Sequence, residues 1–285
     1  MVSNITKVTV VGFLLTIVIR SQLSAQENKE YPVLQKYRKI SLMVGPAIYN
    51  RAQTYPQYGS YTLTNKPIPG YNAGINYDFQ PDKKWSFITG LWFAKEPIYS
   101  IHNHIYKNDI YSNFEEDYIS NAKAYAMFSF SAPLLLRFNL QTSSKSFINF
   151  LTGFKIMYFP YGSAEYGLIF HNEDNTESRE VFAMRLESQE FPLYGSFIVG
   201  TGGSIALRKM LVKMNIIYVM NYPNTIEGEY QFGNLFSSPP TRGDYKLSGN
   251  YVTLQFSVNF RNPKHKWLKV NLKTSENQEP INLNK

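Results

Sequence analysis

Two histidines one residue apart, His102-Asn103-His104, are followed by Asp109 and by Glu115-Glu116-Asp117. Imidazole nitrogens and carboxylate oxygens are the donors that hold zinc and related metals. On a strand, residues two apart face the same way. A His-x-His pair arising by chance in a Tyr- and Asn-rich stretch explains the same residues better, so the sequence is read as holding no metal site. His171 with Glu173 and Asp174 has the residue types for proton transfer. The same stretch carries Glu165, Glu177, Glu180, Glu187 and Glu190 against only Arg179 and Arg185, and reads as a solvated acidic loop. Such a loop would still attract divalent cations weakly or recognise a basic partner. Ser100 beside His102 is the nearest approach to a nucleophile with a base, as a lipid-modifying enzyme or protease would need. There is no Gly-x-Ser-x-Gly elbow and no Gly-rich phosphate loop. No catalytic set and no cofactor is expected, and the chain is read as a non-enzyme.

The elements that would carry these residues are strands. The chain has 285 residues, 22 Tyr and 20 Phe among them, and 18% charged residues against roughly 25% in an ordinary soluble domain. Tyr and Phe favour strands. The absence of Cys excludes disulfides, thiolate metal sites and a cysteine nucleophile. Residues 1–25 read as a signal peptide: Lys7, an apolar run from Val8 to Ile19, then Leu23-Ser24-Ala25 before Gln26. Its removal leaves 27 basic and 21 acidic residues, a net charge of +6. The basic residues are scattered over turns and tail, so no nucleic-acid partner is expected.

Beyond the leader the hydrophobic period is two. Candidate strands run over residues 40–48, 71–79, 85–94, 124–140, 147–158, 191–207, 211–220 and 251–261. In the fourth, Phe128, Phe130, Ala132, Leu134, Leu136, Phe138 and Leu140 share one face, and Ser129, Ser131, Arg137 and Asn139 the other. Pro133 inside it predicts a bulge or an interrupted ladder. Short connections (80–84, 141–146, 208–210) alternate with long ones (49–70, 95–123, 159–190, 221–250). Short turns on one side and long loops on the other are the habit of outer-membrane barrels. No stretch after the leader is long and apolar enough for a spanning helix, so a chain that crosses a membrane must close into a barrel.

A soluble lipocalin-like barrel shares this period, but its outer face must be wettable. Here the polar face is Asn, Ser, Gly, Thr and Gln, and the apolar face is aromatic and charge-free. Aromatics facing lipid, with small polar groups inside, fit that pattern better. An eight-stranded barrel has room for little beyond its own side chains. Inward Arg137, Lys155 and Lys213 are expected to pair with Asp78 and other inward acids, which argues against a wide pore.

The segment Phe130-Ser131-Ala132-Pro133-Leu134-Leu135-Leu136-Arg137-Phe138 resembles the mid-barrel strand of the PorT-like outer-membrane β-barrel family. Val199-Gly200-Thr201-Gly202-Gly203-Ser204 and Ser41-Leu42-Met43-Val44-Gly45-Pro46 are similar to further pieces of it. The resemblance covers roughly residues 39–261 and implies an outer-membrane barrel. The family's namesake belongs to a secretion apparatus, so the resemblance leaves the activity open.

The expectation is an all-β protein, an antiparallel up-and-down transmembrane barrel of about eight strands in the outer membrane. Residues 1–25 form its signal peptide, 26–38 an N-terminal periplasmic segment, 39–261 the barrel and 262–285 a polar periplasmic tail. Expected partners are outer-membrane lipid and envelope or secretion proteins. The expected role is binding or assembly through the long loops or the tail. The alternatives are a lipid-modifying enzyme and a soluble periplasmic lipocalin-like carrier.

Overall fold

A computed structural model describes residues 30–263 except 112 and 161, and the side chains of these except Met127 and Phe128. The expected signal peptide and most of the expected tail lie outside the described residues. Fourteen strands follow in order: β1 (Ile40–Tyr49), β2 (Gln53–Tyr58), β3 (Thr64–Asn65), β4 (Ile68–Asp78), β5 (Trp85–Ile105), β6 (Tyr118–Gln141) and β7 (Ser146–Tyr158), then β8 (Ser163–His171), β9 (Ser178–Ser188), β10 (Leu193–Ala206), β11 (Met210–Tyr222), β12 (Ile226–Phe232), β13 (Thr241–Leu247) and β14 (Tyr251–Phe260).

Eight of them close a barrel in the order β1-β4-β5-β6-β7-β10-β11-β14, and β14 returns to β1 with Leu42 opposite Val258 and Tyr49 opposite Tyr251. Every neighbouring pair is antiparallel. The outer surface carries the apolar sets. Phe154 is 64% exposed, Ile156 63% and Leu134 60%, with Ile75, Leu91, Ile216 and Phe256 beside them. Such a belt cannot face water over eight strands. It places the barrel across a bilayer, where closure satisfies every backbone group. This removes the basis of the soluble lipocalin-like alternative, whose apolar face points inward.

Inside, Asp78 is ion-paired with Arg137, and Lys213 Nζ lies 3.6 Å from the same carboxylate oxygen. Lys155 Nζ reaches Tyr251 Oη at 3.2 Å. Burying a charge without a partner is costly, so these inward residues arrive as a set. A cavity of about 20 Å³ beside them, room for about one water, is lined by Asn76, Arg137, Lys213 and Gln255. At Gly202 a Cβ would come within 2.1 Å of the Met214 carbonyl oxygen, so glycine there permits close strand approach. Pro133 interrupts the β5–β6 ladder between the pairs Thr89–Leu134 and Trp92–Ser131 without shifting the register.

The short-turn end is closed by residues 30–37. Tyr31, Leu34 and Tyr37 pack on Phe147, Ala206 and Leu211. Tyr31 Oη donates to the Asn139 carbonyl at 3.1 Å and Tyr37 Oη to that of Leu207 at 2.6 Å.

The four long connections are not loops, which corrects the sequence reading. The first, third and fourth give a five-stranded antiparallel sheet, β2-β13-β12-β9-β8. The second extends β5 and β6 to 21 and 24 residues, well beyond the expected ends. Alternation at Phe182, Met184, Leu186 and at Tyr230, Phe232, Tyr245, Leu247 drives this. Those side chains bury between the sheet and the β5–β6 extension, with Tyr99, Ile101, Ile105 and Tyr111.

Candidate functional site

The cap formed by these connections stands over the barrel mouth, and the side chains the sequence marked for chemistry sit in it. His102 and His104 lie on β5 on either side of the fully buried Asn103. His102 Nδ1 is 3.0 Å from Asn121 Oδ1, and His104 Nε2 is 2.8 Å from Asp117 Oδ2. The Lys107 backbone N–H donates to Asp117 Oδ1 at 3.0 Å. That bond, and then the bond to His104, hold the Asp117 carboxyl below the usual carboxylate range. No group of three His, Asp or Glu able to hold a metal occurs among the described residues. Ser100 is buried on β5, and the ring of His102 is turned to Asn121.

Asp109 is separated from the histidines and does something else. It ends a 3₁₀ turn, Lys107–Asp109, and is 1% exposed. Oδ2 accepts from Tyr61 Oη at 2.6 Å and Ser238 Oγ at 2.6 Å, and Oδ1 from the N–H groups of Ser237 at 2.8 Å and Ser238 at 2.7 Å. Burial pushes its pKa up, but the four bonds to the charged form outweigh that and leave it lowered. Tyr61, raised by burial and then by this bond, keeps its proton. One carboxylate thus ties the first, second and fourth connections together. In the sequence Asp109 stands out only as a carboxylate downstream of the two histidines, in a metal reading that is set aside. Its partners Tyr61, Ser237 and Ser238 carry no sequence signal, because they lie 48 to 129 residues away.

His171 ends β8 beside the turn 172–177, where Asn172 Oδ1 accepts from the N–H groups of Thr176 and Glu177 at 2.9 and 3.1 Å. Glu173 and Asp174 are exposed in this turn. The expected acidic loop is therefore a two-faced hairpin, β8–β9. Its outer face joins β12 and β13 in a charged surface whose rows run Glu165, Arg185, Glu229, Asp244 and Glu187, Glu227, Lys246. Arg185 Nε lies 3.2 Å from Glu187 and 3.7 Å from Glu165, and Arg242 pairs with Glu229. A shallow depression on this face is floored by Gly167 and Ala183, its smallest side chains.

No family model matches the chain. No curated protein matches it by sequence either. Among solved structures it is similar to the outer membrane protein OprG from Pseudomonas aeruginosa at 11% identity and a TM-score of 0.39, over 79% of this chain and 98% of that one. It is similar to the outer membrane protease OmpT from Escherichia coli at 9% identity and a TM-score of 0.30, over 79% and 94%. The TodX monoaromatic hydrocarbon channel follows at 7% identity and a TM-score of 0.22, over 82% and 93%. Likenesses this distant leave function to the residues themselves. The segments that suggested a PorT-like family in the sequence lie on β6, β10 and β1, all in the barrel wall and none in the cap, and no family model supports that assignment.

Proposed function

We propose that the chain is an outer-membrane barrel that acts, without catalysis, as a binding or assembly component through its folded cap. The carrying observation is that all four long connections build one cap with its own apolar core, above a lumen that is packed and closed at its other end. A barrel meant to conduct would leave the lumen open. The Asp109 carboxylate latches the cap and the charges of β8, β9, β12 and β13 are spread over an open face, which supports a binding surface. The partners this favours are outer-membrane lipid around the belt and envelope proteins above it. The PorT-like segments support an envelope assembly, secretion included.

Two measurements test the reading. The protein from an outer-membrane fraction should migrate differently on a gel before and after boiling, as a closed barrel does. A deletion strain should then be complemented with the wild type, or with a barrel whose second and third connections are cut to short turns. The shortened barrel should restore heat-modifiability but not surface attachment or secretion. Equal rescue by both chains would overturn the cap's role.

A further inference from the structure

Among the described residues, the cap leaves a seam between the end strand β8 and the extension of β6. β8 is the end strand of the five-stranded sheet, and among the described residues it pairs with β9 alone. Across from it, β6 pairs with β5 from Tyr118 down but meets β7 only from Phe130 onward. Rings bridge the two sides: Phe170 of β8 lies 4.9 Å from Tyr118, and Tyr166 lies 5.8 Å from Tyr99 of β5. Between these bridges the core is thinly covered. Ala122, Ala124 and Ala126 of β6, and Ala164, Tyr166 and Leu168 of β8, pack on the cap core yet stay half-buried.

Unpaired strand edges template further strands, and proteins usually blunt them with proline, lysine or a bulge. The opposite end of the sheet, β2, carries Pro56. β8 has neither proline nor lysine, and its single irregularity falls between Leu168 and Ile169. The charge on the β8–β9 side of this seam is predominantly acidic, while β6 across from it carries the exposed Lys123. Hairpin β8–β9 and its turn hold Glu165, Glu173, Asp174, Glu177, Glu180 and Glu187 against Arg179 and Arg185. Arg185 is taken by Glu165 and Glu187, and Arg179 stacks 4.2 Å over Phe236. Glu180 lies across Gly167 on β8, with its Oε1 2.7 Å from where a Cβ would stand.

We propose that the β8 edge receives an extended segment of a partner protein, apolar and basic at alternate positions, as a sixth strand of the cap sheet. Backbone bonds to β8 supply affinity, and alternation supplies specificity. Apolar side chains would close over the alanine-lined seam, and basic ones would face Glu165 and Glu180. The proposal rests on the cap's being the binding surface and names where and what it binds.

The test uses the full chain folded in detergent micelles and a labelled nine-residue peptide of alternating valine and lysine. A peptide of the same composition with the alternation scrambled controls for micelle binding. The alternating peptide should bind at least tenfold more tightly, and amide hydrogen exchange should slow along residues 163–171. Glu165→Lys with Glu180→Lys should weaken binding about tenfold while heat-modifiability is unchanged. Equal binding of both peptides, or binding without protection of β8, would overturn the edge site. If the cap-shortened barrel fails in cells while this peptide test is negative, the edge assignment falls and the cap's role stands.

Discussion

The barrel wall and the cap are made of the same kind of strand with opposite polarity. In the wall, Leu134, Phe154 and Ile216 point out, and Asn76, Arg137 and Lys213 point in. In the cap, Phe182, Met184 and Tyr230 point in, and Glu165, Arg185 and Glu229 point out. β5 and β6 run through both regions, and the β5–β6 register shifts between Lys95 and Tyr99, where the wall gives way to the cap. An alternating strand states that its two faces differ. The solvent beyond each face decides which is outside.

Four changes would break or sharpen that contrast. Phe182→Ala empties a fully buried ring position in the cap and should cost about 3–5 kcal/mol there. Urea titration followed by proteolysis should show the cap opening earlier while the barrel keeps its gel shift. Phe154→Arg puts a charge on the lipid face and should destabilise the wall by about 2–4 kcal/mol near the bilayer midplane. Unfolding from lipid vesicles measures it, and the effect should shrink in short-chain detergent.

Asp109→Asn keeps the shape but weakens four bonds to a charged acceptor, at about 1–3 kcal/mol of cap stability. The pH dependence has a definite sign. Because its folded pKa is lowered, the carboxylate stabilises the cap fully above the unfolded value near 4. That contribution is lost as pH falls through the folded value. The wild-type cap should therefore loosen in acid below about pH 4, and the variant should show less of that dependence. Arg185→Ala should change stability least, since exposed pairs contribute roughly 0–1 kcal/mol. A loss comparable to that of Phe182→Ala would mean that the charged face is not solvent-facing at all.

The wall was legible from the sequence. The eight barrel strands, the inward and outward faces read for the strand at 124–140, and the pairing of Arg137 and Lys213 with Asp78 follow from alternation and from the scarcity of charge on one face, whereas Lys155, expected to pair with an inward acid, donates to Tyr251. The cap was misread, although its alternation was equally present at Phe182-x-Met184-x-Leu186 and Tyr230-x-Phe232. Its charged outer face made these stretches look like solvated loop. The metal weighed and set aside for His102, His104 and Asp109 would have grouped residues that are merely close in sequence. β5 ends at Ile105, and the 3₁₀ turn Lys107–Asp109 that follows carries the Asp109 carboxylate to Tyr61 and Ser238 instead.

By itself, the sequence determined period-two strands, a charge-free aromatic face, short turns alternating with long connections, and hence a closed membrane barrel. Those properties are local and repeat every few residues. Tertiary structure alone decided that the long connections fold into one sheet, that Asp109 latches three of them, and that β8 is left at an open edge. Each depends on residues tens to more than a hundred positions apart, which the closed barrel brings together at one end.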